Sequence, residues 1–402
     1  MLKNIVIVND FANADGGAGK VAIDVALELS NQYNVIFFTS VKPIDVRFGN
    51  SKVKLVCLDK PDILRDTNRV RAVIKGLFDT KVNKLFRNLL AGLSPQETVV
   101  HVHTWTKAMT SAVFQVTAQM NFNLVLTLHD YFVSCPNGGF FNYKSKRICN
   151  LKSLSANCLL ENCDVRSYPQ KVWRVIRLLI QNHYLWRNKK LTLIYISDMC
   201  KSMLMTYIPK DIKMIYLPDP VDLENNENVA VSDNDIYLYI GRLSPEKGVV
   251  LFCEAISELG LKGIVVGDGY LKNELARKYP QIEFVGWASG EKKFSFMKRA
   301  KALVFPSLWV ETYGLVVAEA KSYGIPCIVP DKCAASEQIE DGQTGYIFKS
   351  GDLKSLKASI LKYEMTDLKM MQLRLNSSFD REALSMKNHI IKLIDIYNKI
   401  LV

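Results

Sequence analysis

The feature that most limits the fold is a rhythm of apolar strands and amphipathic helices that fills the first half of the chain, stops, and then begins again. Ile5-Val6-Ile7-Val8 predicts a strand over 5–9, followed by a glycine-rich turn at 15–19, a helix over 18–31 and a strand over 34–39. Further apolar strands are expected at Lys54–Leu58, Thr98–Val102, Leu124–Leu128 and Leu193–Ile196, separated by stretches of helical periodicity. Strands apolar on both faces and alternating with helices belong to a covered parallel sheet, so the class is α/β. Around Leu217-Pro218-Asp219-Pro220-Val221-Asp222 the rhythm stops, and the polar stretch Glu224–Asp235 reads as a linker. It restarts with a strand over 236–240, helix 248–259, strand 263–267, helix 270–278, strand 282–285, helix 290–299, strand 302–305, strand 325–329 and helix 352–364. A chain of 402 residues exceeds the roughly 250–300 at which one core stops growing. Two domains are therefore expected, 1–218 and 219–383, with an amphipathic helix over 384–402 packing back on the first.

Charge separates the halves. Residues 1–200 carry 26 Lys+Arg against 14 Asp+Glu, residues 201–402 carry 26 against 26, and the whole excess of +12 lies in the first half. Such a surface suits an anionic partner: nucleic acid, an acidic membrane face or a phosphorylated substrate. Arg69–Leu90 sets Val70, Val73, Ile74, Leu77, Phe78, Val82, Leu85, Phe86 and Leu89 on one stripe among Arg71, Lys75, Lys81, Lys84 and Arg87, and Lys171–Lys190, with Trp173 and Trp186, has the same character. Basic amphipathic helices lie on anionic membranes, although ordinary surface helices share the pattern. Nucleic acid is disfavoured, because the basic residues accompany aliphatic stripes rather than aromatic stacking platforms. No run approaches the ~18 apolar residues of a membrane span, and Met1-Leu2-Lys3-Asn4 leads straight into a strand without a leader pattern. A cytoplasmic protein is expected, with peripheral contact to the inner face of the plasma membrane through its N-terminal half.

Asp15-Gly16-Gly17-Ala18-Gly19-Lys20 follows the first strand and opens the first helix, a place where free N–H groups favour an anion. A Walker A loop fails here, since Ala14 stands at the first glycine position and Val21 replaces the magnesium-binding hydroxyl. A dinucleotide site fails as well, because the second strand ends at Phe38-Thr39-Ser40 without a carboxylate for ribose. Gly16 and Gly17 remain as a loop facing a nucleotide held mainly by the other domain, or as a purely structural turn.

Three strand ends in the second half collect ligand-type residues. Arg242 and Lys247 flank the turn Gly241–Gly248 and can neutralise a diphosphate, or lie in a solvated turn. Val266-Gly267-Asp268-Gly269-Tyr270 brings backbone close enough to receive a nucleobase, although Asp268 equally suits a helix cap. After Phe305-Pro306-Ser307 comes Glu311-Thr312-Tyr313-Gly314-Leu315-Val316-Val317-Ala318-Glu319. Gly314 favours a helix starting near it, which leaves Glu311 in the loop and Glu319 inside the helix, where its carboxylate needs donors such as ribose hydroxyls.

The E-x7-E segment, with Gly241–Gly248, the Val-Gly-Asp-Gly turn and Glu337-Gln338-Ile339-Glu340-Asp341-Gly342-Gln343-Thr344-Gly345, resembles family 4 glycosyltransferases over residues 236–350. That family consists of retaining enzymes of the GT-B fold, two Rossmann-like β/α/β domains facing across a cleft. The resemblance implies that Arg242 and Lys247 hold the diphosphate of a UDP- or GDP-sugar, Glu319 the ribose, and Glu311, Tyr313, Gly314 and Leu315 the sugar and phosphate side. It implies that His129, after Leu124–Leu128, contacts the donor sugar, and that no catalytic metal is needed. His101 and His103 share one strand face and are read as structural or acceptor-side residues. A glycan or lipid-linked acceptor in surface-polysaccharide assembly is expected. The alternatives are a nucleotide-sugar epimerase of the same architecture, which needs no acceptor, and a non-catalytic nucleotide-sugar or glycan binder.

Cys135, Cys149, Cys158 and Cys163 cluster just after His129-Asp130-Tyr131. Four thiolates can hold a structural zinc, but no C-x2-C pair is present, so free thiols and disulfides stay open.

Overall fold

The computed structural model describes residues 1–221, 223 and 227–401, and divides the chain into two compact units. Unit 1 comprises Met1–Gly138, Leu151–Pro220 and Met386–Val402, and unit 2 comprises Gly139–Asn150 and Val221–Ser385. Residues 222 and 224–226, where the expected linker begins, lie outside the described residues.

In chain order the strands are β1 (Asn4–Phe11), β2 (Asn34–Val41), β3 (Lys54–Cys57), β4 (Thr98–Val102), β5 (Asn123–Thr127), β6 (Phe141–Asn142), β7 (Arg147–Ile148), β8 (Leu191–Tyr195) and β9 (Lys213–Tyr216). They continue with β10 (Ile236–Ile240), β11 (Lys262–Val266), β12 (Ile282–Gly286), β13 (Ala300–Val304), β14 (Cys327–Pro330) and β15 (Gly345–Phe348). Unit 1 holds a parallel sheet of order β3-β2-β1-β4-β5-β8-β9, and unit 2 a parallel sheet of order β12-β11-β10-β13-β14-β15. Ile5, Val6, Ile7 and Val8 of β1 are fully buried, as are Tyr237 and Leu238 of β10, because helices cover both faces. Each chain segment builds outward from its first strand and then crosses to the other side. The order therefore reverses between β1 and β4 in one sheet and between β10 and β13 in the other, the places where open α/β sheets gather ligands.

The helix Met386–Leu401 packs on β4 and on the helix Gly17–Leu29 within unit 1. Its buried Tyr397 hydroxyl lies 2.6 Å from Nδ1 of His101. The single helix expected over Arg69–Leu90 is two helices, Arg69–Leu77 and Thr80–Ala91. Asn68 caps the first, and the Asp79 carboxylate caps the second by accepting from the amides of Lys81 and Val82. A second N-cap residue inside the run breaks the helix where it stands. Val82, Phe86 and Leu90 are consequently buried, whereas Val70 is 71% and Ile74 63% exposed.

Candidate functional site

The loop after β10 lies directly on the loop after β13. Gly248 has φ +69°, and a Cβ there would come within 1.8 Å of the Pro306 carbonyl oxygen, so only glycine lets the two backbones meet. The turn after β11 joins them, since a Cβ on Gly267 (φ +149°) would fall 1.9 Å from the Gly241 carbonyl oxygen. Three carboxyl-end loops of unit 2 thus converge beside the reversal point.

Lys247 extends from the first loop to Glu311 in the loop after β13, with Nζ 2.7 Å from Oε1. The Ser307 hydroxyl donates to the same oxygen at 2.9 Å. The Lys247 ammonium also stands 4.6 Å from the centroid of the Trp309 ring, a cation–π distance. The Trp309 indole N–H is buried without a partner among the described residues. Gly139 packs on the same ring, where a Cβ would lie 2.7 Å away, so the short antiparallel hairpin β6–β7 belongs with this unit. Arg242 is exposed, and its guanidinium forms no ion pair among the described residues.

The helix Leu315–Ser322 starts directly after Gly314 (φ +90°), which leaves Glu311 in the loop and places Glu319 in the helix. The Val317 amide donates to the Gly314 carbonyl at 2.9 Å, so the amides without an intrahelical acceptor are those of Leu315 and Val316. The Glu319 carboxylate receives Lys293 Nζ at 2.7 Å, and Gln338 Nε2 donates to the Tyr313 carbonyl at 2.8 Å, holding the loop. Asp268 is exposed and accepts from the amide of Gly269 at 2.9 Å. It does not cap the next helix, Lys272–Lys278, whose N-cap is Leu271.

In unit 1, Gly16 (φ +109°) precedes the helix Gly17–Leu29, and the space beside its Cα is open. The reversal point of this sheet is closed by Asp10, which is 1% exposed. Its Oδ2 accepts from the amide of Lys107 at 2.9 Å, and its Oδ1 from the amides of Ala108 and Met109 at 2.8 and 2.9 Å. Burial raises its carboxyl pKa, which the three donors counter only in part. His129, two residues beyond β5, has Nδ1 3.4 Å from Asp219 Oδ2, and its Nε2 lies 3.0 Å from Nδ1 of His103. The other Asp219 oxygen and Nε2 of His103 are buried without a partner among the described residues. His101 contacts Tyr397 and, at 2.8 Å, Thr127. Burial first, and neighbouring imidazoles second, push His101 and His103 well below the usual histidine range, so both are neutral.

Three of the four clustered cysteines come together. Lys171, 1% exposed on the helix Tyr168–Leu185, has Nζ 3.0 Å from Cys163 Sγ and 3.6 Å from Cys158 Sγ. Asn137 links Cys135 to Cys163. A lysine ammonium thus stands among the sulfurs, and no group of three or more His, Cys, Asp or Glu among the described residues is arranged to hold a metal ion. The four-cysteine zinc set, with Cys149, is not assembled here; a cation already supplied by the chain fills the space between Cys158 and Cys163. No described cysteine is in a disulfide.

Asp10, Asp219, Lys293, Ser307 and Trp309 were not singled out by the sequence. Ser307 and Trp309 lie within four residues of Glu311, and the apolar run before them marks a strand end. Asp219 and Lys293 meet their partners only through the fold.

Residues 221–377 match the family model described as glycosyl transferases group 1. A lipopolysaccharide 1,2-N-acetylglucosaminetransferase of Salmonella typhimurium is 31% identical over 150 residues, 33% of this chain and 39% of that protein. The UDP-Gal:alpha-D-GlcNAc-diphosphoundecaprenol alpha-1,3-galactosyltransferase of Escherichia coli is 27% identical over 189 residues, 40% of this chain and 47% of that protein. The chain thus spans less than half the length of these relatives. The crystal structure of Anabaena Alr3699/HepE in complex with UDP and glucose matches 99% of this chain and 100% of its own, with a TM-score of 0.66 at 14% identity. That likeness shows the fold, the α/β GT-B class with two parallel-sheet units. Lys247, Glu311 and Glu319 all fall within the matched segment, and unit 2 carries a glycosyl transferases group 1 domain.

Proposed function

We propose that the chain is a retaining glycosyltransferase that moves a sugar from a nucleotide-diphosphate sugar to an acceptor hydroxyl of a lipid-linked glycan in surface-polysaccharide synthesis. The observation that carries this reading is the Lys247–Glu311 pair, set over Trp309 at the β10/β13 reversal and backed by the N-terminus of the helix Leu315–Ser322. A lysine, an arginine without an ion pair among the described residues and the amides of Leu315 and Val316 are the donor types a diphosphate needs, once Lys247 exchanges Glu311 for phosphate. The UDP in the Anabaena structure and the UDP-Gal named for the Escherichia coli relative make a uridine diphosphate sugar the first donor to try.

In this reading Arg242, Lys247 and the amides at 314–315 bind the diphosphate and stabilise the charge it gains as the leaving group. Glu319 shifts from Lys293 to the ribose hydroxyls, while Gly267 and Asp268 border the base. Glu311 and Tyr313 orient the sugar, and Gly16 and Gly17 offer amides to the donor. His129, aligned by Asp219 and His103, contacts the donor sugar. The bond from the anomeric carbon to the phosphate oxygen breaks, the acceptor oxygen bonds to that carbon on the same face, and the acceptor proton passes to the departing phosphate oxygen.

Thermal-shift titration with UDP, GDP and their sugars tests the donor site, because a ligand that binds only the folded state raises the melting temperature by mass action. A uridine series is expected to shift the protein, and no shift with any nucleotide would refute the reading. Donor turnover in the absence of acceptor would favour the epimerase alternative.

The membrane part of the proposal rests on unit 1. Among the described residues no helix is long and apolar enough to cross a membrane. The helix Arg69–Leu77 instead leaves Val70, Val73 and Ile74 exposed beside Arg69, Arg71 and Lys75. It packs against the helix Tyr168–Leu185, where Trp173 donates to the Val73 carbonyl and Val172, Ile176 and Leu179 are exposed. Aliphatic side chains ringed by cations suit an anionic lipid surface. Flotation with anionic vesicles is expected to carry the protein upward, and Val70→Ser with Ile74→Ser to abolish this; equal partitioning onto neutral vesicles would contradict it.

A further inference from the structure

Lysine is almost never fully buried without a carboxylate or phosphate partner. Lys171 has neither: among the described residues no carboxylate lies within ion-pair distance of it, and the nearby Asp164 is taken by Arg174 at 2.7 Å. Its polar neighbours at Nζ are two sulfurs, Cys163 at 3.0 Å and Cys158 at 3.6 Å. All three side chains are at most 5% exposed. The amine is fixed on an 18-residue helix, and Cys158 on the short helix Ala156–Leu160, whose cap Ser155 accepts from the Cys158 amide. Cys163 is further held through Asn137, whose Nδ2 approaches its sulfur at 3.5 Å and its carbonyl at 3.3 Å. A nucleophilic sulfur and a primary amine are therefore preset almost in contact, away from bulk water and thiol reductants but within reach of a small oxidant.

The geometry points to a redox cross-link between Lys171 and Cys163, in which one oxygen atom bridges Nζ and Sγ. With dioxygen as the oxidant, the amine and the thiol react to give the N–O–S link and one water. An N–O and an O–S bond form, the amine gives up one hydrogen and the thiol its one, and dioxygen is reduced by four electrons, its second atom leaving as water with those two hydrogens. A Cys158–Cys163 disulfide is disfavoured, because Nζ contacts both sulfurs and the two would have to close across it. The link would tie the helix Tyr168–Leu185 to the loop that Asn137 joins to the segment following His129, so oxidation would stiffen the wall of unit 1 next to that histidine.

Intact-mass measurement and tryptic mapping of the full chain, kept under oxygen or under thiol reductant without oxygen, test this. Cleavage after Arg166 separates the two residues, so the link joins two peptides and adds one oxygen while removing two hydrogens. The joined pair is expected only in oxygen-treated protein and is expected to disappear on reduction. Cys163→Ala and Lys171→Met should lack it, whereas Cys158→Ala should keep it. The wild-type measurement decides the matter even if Lys171→Met fails to fold. A Cys158–Cys163 disulfide, one tightly held zinc per chain by elemental analysis, or two unlinked peptides after oxidation would each overturn the proposal.

Discussion

The two units build the same sheet, three strands outward from the first and the rest on its other side, yet fill the reversal point in opposite ways. In unit 1 the carboxylate of Asp10 occupies the anion-binding position itself, taking three amide donors. In unit 2 the Lys247–Glu311 pair stands beside the reversal with the N-terminus of the helix Leu315–Ser322, and Arg242 in the same loop as Lys247 forms no ion pair among the described residues; on the proposed reading this set takes its anion from outside. Charge follows the same division. Counted over the two units, unit 1 holds 29 Lys+Arg and 17 Asp+Glu, unit 2 holds 23 of each, and all five histidines lie in unit 1. On the proposed reading one topology thus serves two tasks: a charge-satisfied scaffold with a basic exterior, and a charge-balanced unit that binds the donor.

Removing the cation on the open side should have the largest effect. Lys247→Met is expected to lower kcat/KM by about 10³-fold, the usual cost of deleting a preorganised charge at a leaving group. Because the substitution also strands the buried Glu311, Lys247→Met with Glu311→Gln should recover melting temperature without recovering turnover. If the double variant turns over normally, unit 2 does not use this position for phosphate. The closed side should answer in stability instead. Asp10→Ala leaves three buried amides without an acceptor and is expected to cost about 3 kcal/mol in urea unfolding, with donor affinity unchanged. A loss of nucleotide binding with no loss of stability would mean that unit 1 also binds an anion there.

Within unit 2 the two glutamates should separate. Glu319→Ala is expected to weaken donor affinity by about 30-fold, roughly 2 kcal/mol for lost charge-assisted bonds to ribose. Glu311→Ala should lower turnover more than affinity, as calorimetric titration and initial rates would report, and the reverse pattern would exchange their roles. That these residues belong to a loop and a helix was legible in the sequence, since Gly314 marks the boundary and the apolar runs of β1, β4, β5, β8, β10, β11 and β13 announce themselves. The edge strands β9 and β15 are not among the strands expected from the sequence, although the equally short edge strand β3 is, so strand length alone does not decide which strands are legible. Side-chain pairs such as His129 with Asp219, or Lys171 with Cys163, depend on how separate elements pack. No local spacing encodes the first, and a helix and a loop must first be placed for the second.

The smallest contrast is in acid. His389 donates from Nδ1 to the Pro218 carbonyl at 2.9 Å, and burial holds its pKa down at about 4, well below the ordinary histidine value of about 6.5. His101 and His103 are depressed in the same direction. A depressed folded-state pKa means that the unfolded chain takes up the proton first. This contribution is complete above pH 6.5 and is lost progressively as pH falls toward 4. At pH 5.5 His389 alone should cost about 1 kcal/mol relative to pH 7.5. Unit 2 has no histidine, so melting followed by hydrogen exchange should show the amides of β4 and β5 losing protection on acidification while those of β10 and β13 hold. His389→Asn keeps a donor for the Pro218 carbonyl and removes the titration, and it should flatten the unit 1 response. Equal acid sensitivity in both sheets would assign the effect to carboxylates shared by both units rather than to the histidines that distinguish them.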